Sequence, residues 1–194
     1  ADPDIAGKAM LEQGHIWFER SRRSLYGAEK FRSPGRGIKD LVSSQETYIK
    51  LARTYPHHRK EVANALVNAL NAPGYARSPE IDKLAIEAGN ILIKYYGAAP
   101  MGTIGYQGLE TVAGFARGRI TKILLVWKGP EEALDYLIPL LKSTDNPRAL
   151  FRLNRLAGKI YEENLHDRRR ATAYYQKALA ASQEAGPRRK EVEV

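Results

Sequence analysis

Apolar residues recur along this chain three and four positions apart, in runs that stop at proline, glycine or clustered polar residues. That period is the signature of amphipathic helices. Leu150, Leu153, Leu156, Ala157, Ile160 and Tyr161 fall on one stripe, which Asn146-Pro147 opens. Asn can cap free N–H groups, and proline at the first helical position loses no bond. Asn164 to Asp167 interrupts the pattern. Ala171, Tyr174, Tyr175, Ala178, Leu179 and Ser182 then line a second helix, so the spacing predicts a helical hairpin over 147–183.

The rest of the chain has the same grammar. Ala6, Ala9, Met10, Ile16, Trp17, Leu25 and Tyr26 give an imperfect helix over 4–31, with Gly7, Gly14 and Gly27 as points of breakage or close packing. Arg32 to Gly37 reads as a turn. Ile38 to Tyr55 is a clear amphipathic helix ended by Pro56, and Val62 to Leu70 is its partner, closed by Ala72-Pro73-Gly74. Ser78-Pro79-Glu80 announces a helix that runs to about Tyr96. A glycine-rich connection of about twelve residues, 97–108, is long for a helical domain, and such loops are often functional or mobile. Leu109 to Trp127 and Glu131 to Leu141 are the next helices, the second with Pro139 as an expected kink. Strand alternation is missing, and about eight helices result.

Gly158, Tyr161, Ala171, Tyr175 and Ala178 resemble the second half of a tetratricopeptide-repeat signature, in which Gly and an aromatic residue on one helix meet Ala, aromatic and Ala on the next. Two positions depart from it. The interval from Tyr161 to Ala171 is one residue longer than the family's, and Asn154 stands where the family has Trp or another large apolar residue. The resemblance implies an all-α fold of antiparallel hairpins stacked as a short right-handed solenoid. It implies a scaffold that binds protein, with no chemistry and no cofactor. Residues 1–185 are then one repeat domain, with 4–96 and 109–185 as sub-units joined by the 97–108 loop, and 186–194 as a flexible basic tail.

Composition narrows the function classes. In 194 residues there is no cysteine, which excludes disulfides, thiolate metal sites and cysteine nucleophiles. The net charge of +9 favours anionic partners, although the basic residues lie in several short clusters. No apolar run reaches the ~20 residues of a membrane span. Ala1-Asp2-Pro3 reads as a mature start after signal-peptide cleavage, hence an exported or periplasmic protein, or as an artificial boundary in a cytoplasmic one.

Candidate chemistry is sparse. His57 and His58 are adjacent and diverge on a helix, so they do not make a metal pair. The 102–109 stretch lacks the Lys-Ser/Thr ending of a phosphate loop. Its Tyr106 to Leu109 faintly resembles a lytic transglycosylase stretch, without that family's catalytic Glu-Ser: Glu87 precedes Ala88 and Glu110 precedes Thr111. No acid pair is placed for acid/base work. Partner contact falls instead to Asn64, Asn68 and Asn71 on one helix face, to Tyr96 and Tyr174, and to Arg168, Arg169 and Arg170 at a helix start. For each, a plain solvated or packing role is the simpler reading. Arg20, Arg22, Arg23, Arg32 and Arg36 beside Trp17 and Phe18 support an alternative, the binding of RNA or an acidic polysaccharide. The leading expectation is a non-enzymatic adaptor in a bacterial envelope assembly, holding a peptide segment or helix in a concave groove.

Overall fold

A computed structural model describes residues 3–26, 34–55, 59–104 and 111–185. Their helices are α1 (Pro3–Tyr26), α2 (Pro34–Thr54), α3 (Arg59–Asn71), α4 (Pro79–Tyr96), α5 (Val112–Trp127), α6 (Pro130–Lys142), α7 (Pro147–Lys159) and α8 (Arg168–Glu184). Among the described residues the only β contact is an isolated bridge between Pro100 and Thr111. The chain is therefore all-α there, with helices packed on their sequence neighbours. It gathers into two compact units, Ala1–Ile123 and Leu124–Val194.

In the first unit α1 pairs with α2, and α2 packs in turn on α3 and α4. Leu41, Tyr48, Leu51, Leu66, Leu70, Ile81, Leu92 and Ile120 are fully buried there. Of the two alternatives at the glycines of α1, breakage or close packing, the helix runs unbroken through Gly7 and Gly14. Gly14 is a close-packing site: a Cβ on it would lie 2.4 Å from Cε1 of the buried Tyr48. Of the turn expected at 32–37, residues 34–37 are helical instead, and 32 and 33 lie outside the described residues. Pro34 already opens α2, its fixed φ suiting a first helical position. Gly37 belongs to the helix, where a Cβ would meet Leu25 Cγ at 2.9 Å.

Ser78 caps α4 by accepting from the Ile81 N–H at 3.2 Å. The described part of the glycine-rich stretch belongs to this first unit. Val112 N donates to Ala99 O at 2.8 Å and Ala113 N to Gly97 O at 3.1 Å, so its two ends are tied together. Met101, 3% exposed, anchors a 3₁₀ turn, Met101–Ile104. Helix α5 starts at Val112, with Thr111 Oγ1 accepting from Gly114 N at 3.2 Å. His57, His58, Arg32, residues 105–110 and the tail 186–194 lie outside the described residues.

In the second unit α6 packs on α7, and α7 on α8. Gly129, at φ +112°, makes the turn into α6, a conformation that side chains other than hydrogen resist. Helix α6 continues through Pro139, so the expected kink does not end it. Asn146 caps α7 doubly, its Oδ1 accepting from Arg148 N and Ala149 N, both at 3.0 Å. The core is Leu134, Leu137, Leu153, Ala157, Ile160, Tyr161 and their alanine neighbours Ala133 and Ala171. Two predicted stripe residues are misplaced: Leu179, 61% exposed, and Ser182 both face solvent, and Ala181 closes the buried face of α8 instead.

A π-helical turn, Ile160–Asn164, ends α7. Leu165 N donates to Ile160 O at 3.2 Å, a five-residue step, and Asp167 N to Tyr161 O at 2.8 Å. His166 at φ +55° completes this left-handed exit. A π turn holds one residue more than an α turn. On either side of it Tyr161, Ala171 and Ala178 are all buried.

Candidate functional site

The second unit carries a groove of ≈ 370 Å³ between three helices. Helix α6 supplies Ile138, Leu141 and Lys142, α7 supplies Leu150 and Asn154, and α8 supplies Tyr174, Lys177, Ala181 and Glu184. Its floor is apolar and its rim charged. Asn154 is one of the residues that line this space. Only 6% exposed, it folds back so that its Nδ2 donates to Leu150 O at 2.9 Å, one turn earlier. A short amide bound to its own helix leaves unfilled the volume that a large apolar side chain would occupy.

Tyr174 forms one wall and is held rigidly. Its ring stacks on Tyr161 at 5.4 Å with an interplanar angle of 11°. Arg170 lies over Tyr161 at 5.5 Å and Lys177 over Tyr174 at 5.0 Å. A cation thus approaches each ring of the pair. Burial raises the Tyr174 hydroxyl above its ordinary pKa, Tyr161 adds to the shift, and Arg170 opposes it.

On the far side of α8, Tyr175 fills the notch left by Gly158, where a Cβ would lie 2.7 Å from its Cε1. Its hydroxyl donates to Glu162 at 2.6 Å. That bond to the carboxylate is the main reason its pKa is pushed up to about 12.

The same contact recurs in the α1–α2 hairpin, between Gly14 and Tyr48. Trp17 follows Gly14 by three residues, as Tyr161 follows Gly158, and Ser44 and Leu51 flank Tyr48 as Ala171 and Ala178 flank Tyr175. The sequence reading missed this second copy. Matching the two half-patterns separately would have found it, but the longer interval from Trp17 to Ser44 hides it from a search at fixed period.

The asparagine row behaves differently from an open contact surface. Asn64, Asn68 and Asn71 are each half-buried. Asn71 Oδ1 accepts from Arg119 Nε at 2.6 Å, Asn68 bonds the Tyr48 side chain, and Asn64 Oδ1 is a buried acceptor without a hydrogen-bond partner. Tyr48 OH also lies 2.9 Å from His15 Nδ1. These contacts join α3 to α2 and α5, and α2 to α1.

Tyr96 is half-buried, and its neighbour Tyr95 is the exposed one at 53%. Arg168, Arg169 and Arg170 are exposed at the start of α8, while the groove takes its α8 residues from Tyr174 onward. Arg170 is engaged by Asp167, at 3.4 Å, and by Tyr161.

The basic group in the first unit separates into two kinds. Arg20 is bound to the buried Asp40 at 3.4 Å and lies over the Trp17 ring at 4.6 Å. Arg22, Arg23 and Arg36 are exposed. Among the described residues no three His, Asp or Glu side chains gather as a metal site would require, and no helix is long and apolar enough to cross a membrane. No family model, curated protein or solved structure matches this chain.

Proposed function

We propose that this chain is a non-enzymatic scaffold of tetratricopeptide-like hairpins, and that the α6–α7–α8 groove receives a segment of a partner protein. The observation that carries this reading is the opening beside Asn154, walled by the fixed ring of Tyr174. Hairpins of this kind stack into solenoids whose surfaces bind peptides and helices. The recurring Gly–Tyr notch at Gly14–Tyr48 and Gly158–Tyr175 supports the family reading. The groove suits a helical or extended segment with one apolar anchor residue on the floor and an acidic residue facing Lys142 or Lys177.

The test fills the groove. Asn154→Trp places a large apolar residue in the opening, and Tyr174→Ala removes the wall. Affinity capture from the native source, quantified by mass spectrometry, should return a protein with the wild type that both variants lose by at least tenfold, while circular dichroism shows them folded. Equal capture by folded Asn154→Trp would refute the groove as the binding site.

A further inference from the structure

The basic end of the first unit holds a second cleft, unrelated to the groove. It measures ≈ 430 Å³ and is walled by Arg22, Arg23, Tyr26, Gly74 and Tyr75, within the size range of small-ligand sites. Tyr26 is 59% exposed, yet it is held at both ends. Its hydroxyl donates to the carbonyls of Gly74, at 3.1 Å, and Tyr75, at 2.9 Å. Its ring stands edge-on to Tyr75 at 6.0 Å, and Tyr75 stands edge-on to the buried Phe18 at 5.3 Å. The outcome is a flat aromatic face presented to solvent by the core behind it.

Two arginines line the cleft beside that ring. Arg23 is exposed, and Arg22 holds only Glu19, at 3.1 Å, in a pair more than half exposed on both sides. Such a pair is weak and readily exchanged for another anion. The contact of Gly37 with Leu25 sets the first turn of α2 against the last turns of α1, which brings the exposed Arg36 to the same end. Arg20 is occupied by Asp40 and Trp17, so it positions this end of α1 rather than binding a ligand.

We infer that this cleft binds one nucleotide of a single-stranded nucleic acid, with a base stacked on Tyr26 and the flanking phosphates on Arg22 and Arg23. A fixed ring beside guanidinium groups is the arrangement that serves single strands, because every base has a π face and every linkage a charge. An acidic glycan matches the charge but has no planar base to stack.

Fluorescence anisotropy with a labelled oligouridylate, across a salt series, tests the inference, with heparin and uridine monophosphate as competitors. The oligonucleotide should bind at low salt. Arg22→Gln with Arg23→Gln should reduce the salt slope by about 1.4, that is 0.7 for each phosphate contact on a single strand. Tyr26→Leu should weaken binding about fivefold or more with the slope unchanged. Asn154→Trp should leave this binding unaltered, which separates it from the groove. Thermal melts identify any variant that fails to fold, and the arginine variants, being on the surface, keep the test open if Tyr26→Leu does. The inference is overturned by absence of oligonucleotide binding, by indifference to the paired arginine substitutions, or by a folded Tyr26→Leu that binds as the wild type does. Heparin binding of equal strength with the same variant responses, or uridine monophosphate binding as tight as the oligomer's, also overturns it.

Discussion

Two glycines and two tyrosines set the distance between helices in two hairpins, and the surroundings of each pair make their substitutions unequal. At Gly14 an added methyl group meets the ring of Tyr48, which has no exposed surface and whose hydroxyl is held by His15 and Asn68. The ring cannot yield, and Gly14→Ala should destabilise the first unit by about 2–3 kcal/mol, the upper range of overpacking costs. At Gly158 the facing Tyr175 is only half-buried and can swing outward, so Gly158→Ala should cost about 1 kcal/mol. Gly118 has nothing within 4 Å of its Cβ position. There the helical preference of alanine acts alone, and Gly118→Ala should stabilise by roughly 0.5–1 kcal/mol. Urea titrations of the three variants measure this order.

Tyr48 also predicts a pH response. Burial is the largest cause of its rise to about 12, with Glu19 adding to it and the bonds to Ser44 and Asn68 opposing it. An unfolded tyrosine ionises near 10. Above that pH the unfolded state has released a proton that the folded state retains, so stability falls as pH rises. The contribution is complete below about pH 10 and is lost as pH approaches 12, on the order of 2 kcal/mol. Unfolding measured from neutral to alkaline pH should show a steeper alkaline decline in the wild type than in Tyr48→Phe; parallel curves would exclude Tyr48 as the source.

Among the elements, α7 is the most closely specified at both ends. Asn146 satisfies two of the free N–H groups at its start, and Asn146→Ala should cost about 1 kcal/mol in thermal or urea unfolding. Its end is set by the π turn. Deleting Glu163, which is exposed, shortens Ile160–Asn164 to an ordinary turn. The second unit should then keep its helical content and melt within a few degrees of the wild type. Deleting Arg155, within α7 proper, rotates every later residue by about 100° against the core and should melt far lower. Similar losses for the two deletions would show that the π turn does not carry the extra residue.

For the molecule as a whole, the net charge of +9 is distributed between structural and available cations. Arg20, Arg53 and Arg77 pair with Asp40, Glu87 and Asp82, whereas Arg22, Arg23 and Arg36 face solvent at one end of the first unit. Salt therefore distinguishes the two proposed modes. Partner capture by the largely apolar groove should persist from low to moderate salt, while nucleotide binding at Tyr26 should fall steeply.

The all-α class, the eight helices and most of their starts were legible in the sequence, because caps, prolines and the three-to-four residue period are local signals. Ser78 and Asn146 show this directly. The candidate site was legible only in fragments. Tyr174 is a candidate from its pattern and Asn154 stands out there as a polar residue on an apolar stripe, but an opening depends on what does not fill a space, and that is a property of three helices together. For Asn64, Asn68 and Asn71 the spacing gave the shared helix, and only the placement of Tyr48 and Arg119 shows that Asn68 and Asn71 also hold neighbouring side chains. By itself the sequence determined where helices begin, end and carry an apolar stripe, since those choices rest on neighbours within one turn. The tertiary structure alone decided that Gly14 meets Tyr48, that a π turn ends α7, and that Tyr26 is pinned beside two arginines. Such contacts join residues far apart in the chain, and no local period records them.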